Sequence, residues 1–340
     1  MNESFFPHPS NAPRPFRVIG AGSLIVDLVA EVSDAFIARI GRQKGGMELV
    51  DSATLEEIVA LLPSPPMLSA GGSAANTIHG LAHLGIPCTF LGKLGADASR
   101  DFYVAAYQSA GVDTSRIRYS DAMPTGRCLS LVTPDSERTL CTDLGASGSL
   151  SVDDVNVDDF RDCDYVHIEG YLLFNRELAV SIMQAAKTAG AIVGLDLASF
   201  EVVRANRDVL DDLLSEYVDV VYANEDEAEA FCGVRTPEAG LAALAEHCCV
   251  AIVKLGADGA RIQASTGTVA IDAVSAQAVD TTGAGDLWAA GFLYAALNGS
   301  DPAIAGKCGA VTGAEVVQVF GAALPDAAWE RTREQFKNND

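Results

Sequence analysis

At 340 residues, 49% of them hydrophobic and 20% charged, the chain suits one large domain, or a large domain with a small appendage, and can bury a full core. A formal charge of −23 and a pI near 4.4 weigh against nucleic acid, whose phosphates call for clustered Lys and Arg, and against an anionic membrane surface. An anionic substrate therefore needs a local site of backbone amides, metal and a few cations set against the global field.

Residues 1–15 lack the cationic and apolar regions of a secretory signal and read as a flexible, proline-rich arm. RVIGAGSLIVDLVA (17–30) opens as a strand. Residues 31–62 carry short strand-like pieces ahead of one helix, and SAANTIHGLAHLG (73–85) has helical periodicity. CTFLGKLG (88–95) follows as a strand and RDFYVAAYQSAG (100–111) as a helix. Residues 124–143 read as two strands around a Pro-Asp-Ser-Glu turn. Beyond them, DYVHIEG, AIVGLDL, VDVVYAN and VAIVKLG are strands, while ELAVSIMQAAKTAG, EDEAEAFCG and DLWAAGFLYAALNG are helices. The tail AWERTREQFKNND reads as a terminal helix that frays.

This alternation predicts an α/β fold with a mostly parallel sheet sandwiched by helices, built from residues 16–30, 63–123 and 144–335. Residues 31–62 and 124–143 are expected to form a small β-rich lid, able to close over a pocket without disturbing the core. Eight cysteines without a C-x-x-C pair point to reduced thiols. No apolar run reaches the ~18 residues that span a bilayer. The expectation is a soluble, cytoplasmic protein.

The sharpest segment is Asp280-Thr281-Thr282-Gly283-Ala284-Gly285-Asp286, directly before a helical pattern. Glycines at a helix start leave amide N–H groups free to meet an anion, with the positive end of the helix dipole behind them. A carboxylate there can take a proton from a hydroxyl held opposite that anion. Phosphoryl transfer to an alcohol requires this pairing, although the same residues also suit a capped helix with a tight turn. Gly71-Gly72-Ser73-Ala74-Ala75-Asn76 is a second glycine-rich helix entry, with Ser73 and Asn76 as hydrogen-bonding groups near a polyol. Asp27, at the end of the first strand, suits two hydroxyls of a vicinal diol. Asn224 and Glu227, three apart on a new helix turn, suit either a helix cap or water-mediated Mg²⁺ near phosphates.

Taken together, AVDTTGAGDLWAAGFL and GGSAANT resemble the paired signatures of the ribokinase-like (PfkB) family of carbohydrate and nucleoside kinases. The similarity runs in order over residues 16–325 and includes Gly92 to Asp97, Pro124-Thr125-Gly126, Glu137-Arg138-Thr139 and Lys254 to Gly259. GGSAANT, PTGRC, HIEGYLL and KGGMELVD are most similar to bacterial adenosine-kinase-like members. The resemblance implies Asp286 as catalytic base, Gly283, Ala284 and Gly285 as an anion hole, and Arg138 reaching from the lid to the transferred phosphate. It implies Asp27, Gly71, Gly72, Ser73 and Asn76 around the acceptor. ATP would lie along Thr281, Gly283, Gly285, Asn224, Lys254, Gly256 and Gly259, with Gly306 to Gly313 on its adenine side. Mg²⁺ would sit near Asn224 and Glu227, and many members add a monovalent cation such as K⁺. Ser23 departs from the Asn that adenosine kinases usually carry there.

The implied activity is transfer of the ATP γ-phosphate to a primary hydroxyl of a nucleoside, adenosine first, by a monomer or homodimer. A sugar kinase (ribose, fructose or related) and a non-catalytic nucleoside sensor are the alternatives. Gly20-Ala21-Gly22 lacks the third glycine of a dinucleotide fingerprint, and no G-x-x-x-x-G-K-[ST] occurs. His79 and His83, four apart, lack the third ligand that catalytic zinc needs.

Overall fold

Six short apolar runs are buried on both faces, which calls for a parallel sheet covered by helices on either side. A computed structural model of the chain describes Phe5, residues 15–135 and residues 137–337. Its main sheet runs β15 (Gly267–Ile271), β14 (Ala260–Ala264), β13 (Val250–Lys254), β12 (Val220–Asn224), β11 (Ile192–Asp196), β10 (Tyr165–Glu169), β1 (Val18–Ala21) and β5 (Cys88–Leu91). The six strands from β13 to β5 are parallel, and β14 and β15 add an antiparallel edge. Successive residues feed opposite cores: Val18, Tyr165 and Val220 one, Ile19, Val166 and Val221 the other.

A second sheet runs β3 (Met47–Leu49), β9 (Arg138–Gly145), β8 (Thr125–Val132), β2 (Ile25–Glu31) and β4 (Met67–Gly71). A short pair, β6 (Lys93–Gly95) and β7 (Arg118–Ser120), completes the strands among the described residues. The helices are α1 (Asp34–Ile40), α2 (Ser52–Ala60), α3 (Ser73–His83), α4 (Ala98–Ser109), α5 (Arg176–Thr188), α6 (Phe200–Tyr217), α7 (Glu225–Cys232), α8 (Pro237–Ala245), α9 (Ala284–Leu297), α10 (Pro302–Val316) and α11 (Asp326–Lys337). Helices α3, α9 and α10 pack on one face of the main sheet and α5 to α8 on the other.

Three expectations are corrected. The run 17–30 is two strands, broken at Gly22 and Ser23, and its second half belongs to the lid sheet, as does β4. A Cβ at Gly22 would stand 2.4 Å from the Glu169 carboxyl carbon, so glycine lets the chain turn out of the core there. Asp27 consequently lies mid-strand in the lid, between Ser69 and Cys128, instead of at the rim of the core sheet. The tail does not fray within the described residues: Trp329 of α11 is buried and stacks on His83 at 5.1 Å, and Phe336 stacks on Tyr294. The expected arm lies outside the described residues except Phe5, whose buried ring meets Phe292 edge-on at 6.2 Å. Among the described residues, no helix is long and apolar enough to cross a membrane.

Candidate active site

The chain leaves β1 toward β5 on one side and returns through β10 on the other, so the sheet has a switch point between β1 and β10. Open α/β sheets bind ligands at the carboxyl ends of strands beside such a point. Four adjacent strands end there in polar residues: Glu169 on β10, Asp196 on β11, Asn224 on β12 and Lys254 on β13.

Above this rim lies the turn that starts α9. Asp280 is its organiser: Oδ1 accepts from Thr282 N (2.9 Å) and Thr282 Oγ1 (2.7 Å), and Oδ2 accepts from Gly321 N (2.8 Å). Gly283 has φ 73°, and a Cβ on it would meet Ala322 at 2.5 Å. The Ala284 N–H is spent on the Thr281 carbonyl at 3.2 Å, which removes Ala284 from the expected anion hole. The amides of Gly283 and Gly285 remain among the orphan donors of the helix start.

Asp286 is gripped from α3. Ser73 Oγ donates to Oδ1 at 2.8 Å and Asn76 Nδ2 to Oδ2 at 2.9 Å, while Thr77 Oγ1 donates to the Asp286 carbonyl at 3.1 Å. Ser73 and Asn76, expected beside the acceptor, thus hold the Asp286 carboxylate. Desolvation raises Asp286 to a pKa of about 6; Asn76 works against the shift, Asp196 adds to it, and Ser73 and Lys254 oppose it. A carboxylate with that pKa is largely ionised at neutral pH and is still basic enough to accept a proton.

Asp27 is half-buried and accepts no hydrogen bond from the described residues. Desolvation, and next the charge of Asp286, raise it to about 7 against the pull of Arg138. A Cβ at Gly71 would lie 2.2 Å from Asp27 Oδ2, and one at Gly72 (φ 110°) 2.1 Å from the Ser23 carbonyl oxygen. Both glycines are therefore required by close approach. Strand pairing sets Asp27 in a row with Ser69, Cys128, Thr142 and Leu49 across one face of the lid sheet, with Met47 and Met67 two residues along on the same face. Met47 and Leu49 are 53% and 61% exposed. The opposite face, with Val26, Leu28, Leu129 and Leu131, is buried core.

Arg138 begins β9 and joins the lid to the turn: Nη1 donates to Thr282 Oγ1, and Nε stands 3.7 Å from Asp280 Oδ1. On the other side of the turn, Asn224 caps α7. Its N and Nδ2 donate to the two oxygens of Glu227 at 2.8 and 2.7 Å, and Glu227 N returns a bond to Asn224 Oδ1 at 2.9 Å. Glu227 is buried, and desolvation, followed by Asp196, raises it to about 7. Lys254 reaches Asp196 at 2.7 Å. Gly256 (φ 56°) and Gly259 (φ 87°) shape the next turn, and a side chain at Gly259 would strike the Ile271 carbonyl. Gly306 packs on Ile271, which the strand register sets level with Lys254, and Gly309 packs on Trp288. Thr281 is exposed. His79 and His83 pack edge to face, and no cluster of metal-ligating side chains occurs among the described residues.

Four residues of the site had no role in the sequence reading. Asp280 organises the turn, and Asp196 holds Lys254. Glu169, almost fully buried, accepts from Ser23 N (2.8 Å) and Ala74 N (3.3 Å), tying the β1 exit to the start of α3. Desolvation raises it to about 7. Tyr171 follows two residues later, its hydroxyl within electrostatic reach of Glu169, Glu227 and Asp286. For Glu169 and Asp196 the available signal was a charged residue ending a buried strand.

An orphan-amide turn, a basic carboxylate beside it and a lid carrying a second carboxylate are the parts of a phosphotransferase that acts on an alcohol. The comparisons agree: the family description "pfkB family carbohydrate kinase" matches residues 50–329, and the chain belongs to that family. It is 28% identical to an adenosine kinase of Saccharomyces cerevisiae over 89% of this chain and 95% of that protein. It is 30% identical to an ATP-dependent ribose-1-phosphate kinase of Halopiger xanaduensis, over 72% and 80%. The crystal structure of adenosine kinase from Sinorhizobium meliloti superposes with a TM-score of 0.85 at 30% identity, covering 95% of this chain and 99% of that one. As a kinase of this family, the chain uses ATP.

Proposed function

We propose that the chain phosphorylates the 5′-hydroxyl of a nucleoside, with adenosine as the first substrate, at the expense of MgATP. The observation that carries this reading is Asp27: a half-buried carboxylate with no hydrogen-bond donor among the described residues, on a lid face flanked by exposed apolar side chains at both sheet edges, Met47 and Leu49 on β3 and Met67 on β4. A ribose diol satisfies the first feature and a nucleobase the second. Likeness to proteins named adenosine kinase over nearly the whole chain supports the same substrate class.

In the proposed reaction the acceptor oxygen attacks the γ-phosphorus as its proton passes to Asp286. The bond from that phosphorus to the bridging oxygen of ADP breaks, and ADP leaves with the bond's electron pair. The amides of Gly283 and Gly285 and the Arg138 guanidinium meet the charge of the phosphoryl group in transit. Mg²⁺, when bound, would supply positive charge against the ATP phosphates, near Asn224 and Glu227. Both Glu227 oxygens are already engaged by Asn224, so these residues fit a metal carried by the phosphates and held through its waters. A K⁺ ion would bind to backbone carbonyls beside the turn.

A mass-spectrometric panel of nucleosides and sugars with MgATP tests the reading. The expected result is a nucleoside monophosphate, with kcat/KM for adenosine above that for ribose and fructose. A sugar preferred by more than tenfold would replace the nucleoside assignment, and a panel without any product would favour a nucleoside sensor.

A further inference from the structure

We propose that the buried Asp196–Lys254 ion pair is a positioning device for phosphoryl transfer: Asp196 holds the Lys254 ammonium beneath the Gly285 turn, where its fixed charge faces the phosphoryl group in transit. This rests on the kinase activity and is independent of which alcohol is the acceptor.

Three observations converge on it. Asp196 and Lys254 are the last residues of β11 and β13, separated by β12, and their side chains meet at 2.7 Å with 6% and 12% of their surface exposed. A buried ion pair gives up much hydration for its attraction, so burial of this kind is weak evidence for a purely stabilising role. Next, a Cβ added at Gly285 would stand 3.0 Å from Lys254 Nζ. The ammonium therefore lies directly against the turn whose amides meet the anion. Finally, Ala198 has φ 65°, the one positive φ outside glycine among the described residues, and its N–H donates to Asp196 Oδ1 at 3.0 Å. Strained backbone of this kind persists where the surroundings impose it, commonly at functional sites.

The charges around Lys254 come from every neighbouring element: Asp196 on β11, Glu227 on α7 and Asp286 on α9. Burial works against its charge, but these carboxylates outweigh burial and hold the ammonium above its ordinary value. The free helix-start amides and Lys254 bring partial and full positive charge to one turn of a strongly acidic protein.

The test is a double-mutant cycle with Lys254→Met and Asp196→Asn, read on whichever acceptor the wild type turns over and, in parallel, on ATP hydrolysis to water. Failure of adenosine as substrate thus leaves it intact. Lys254→Met is expected to lower kcat by about 10²-fold, the range for losing one oxyanion-hole donor, with the KM for ATP changed less than about threefold. Asp196→Asn is expected to lower kcat about tenfold, and the double variant to be no worse than Lys254→Met. Affinity for ADP with aluminium fluoride and acceptor should fall in step with kcat, while affinity for ADP alone is kept. A raised KM for ATP with unchanged kcat would make Lys254 a ground-state nucleotide contact and overturn the proposal. Additive losses in the cycle would overturn it too. Should Lys254→Met not fold, Asp196→Asn decides alone: a kcat within twofold of wild type rejects the device.

Discussion

Asp286 and Asp27, within electrostatic reach of one another, are held in opposite ways. Asp286 arrives at the cleft already gripped by Ser73 and Asn76, beneath a turn that Asp280 has wired internally. Asp27 has been pressed between a glycine and its neighbouring strands and offered no donor. The difference is one of preorganisation. The core half of the site is assembled before any ligand binds, whereas the lid half holds an unpaired carboxylate that substrate hydroxyls would complete.

The largest effect expected from this contrast is on chemistry. Asp286→Asn should lower kcat by at least ~10³ with an intact fold, because the amide takes no proton and satisfies only one of its two donors well. Steady-state kinetics beside a thermal melt checks this, and a folded variant within tenfold of wild type would remove Asp286 from the role of base.

Asp27→Asn should act on binding instead, raising the acceptor KM about 10²-fold with a much smaller change in kcat. Stability separates the two halves further. With its folded pKa raised to about 7 from 3.8, Asp27 holds a proton more tightly folded than unfolded, so its ionisation destabilises the protein progressively between about pH 4 and 7, and the loss levels off above 7. Asp27→Asn should therefore melt higher than wild type at pH 8 and no higher at pH 4. An equal shift at both values would remove the carboxylate's charge as the cause.

Activity should respond to pH in the opposite sense, since both roles need ionised carboxylates. Asp27 at about 7 and Asp286 at about 6 predict that kcat/KM falls below pH 7 and steepens below pH 6. Asp27→Asn should leave a single limb near 6, falling tenfold per unit. A profile whose shape is the same in both proteins would assign that limb to other groups.

Smallest is the expected effect of Glu227→Gln: a rise of a few fold in the Mg²⁺ needed for half-maximal rate, with kcat recovered at saturating metal. An unchanged Mg²⁺ titration would leave Glu227 as the cap of α7 alone.

The amino-acid sequence by itself determined the parts that are local. Six buried strands are legible because each is an apolar run bounded by turn residues, and the Asp280–Asp286 turn because its glycines must adjoin the helix they start. Tertiary structure alone decided the rest. The sheet to which residues 25–31 and 67–71 belong is set by partners such as β8, far along the chain, and no local pattern distinguishes a core strand from a lid strand of similar composition. Ser73 and Asn76 turn to Asp286 from 213 and 210 residues away, so their bonds follow from the packing of α3 against α9. Glu169 and Asp196 look in sequence like ordinary charged strand ends, and they become part of the site because parallel strands align their carboxyl ends at one edge of the sheet.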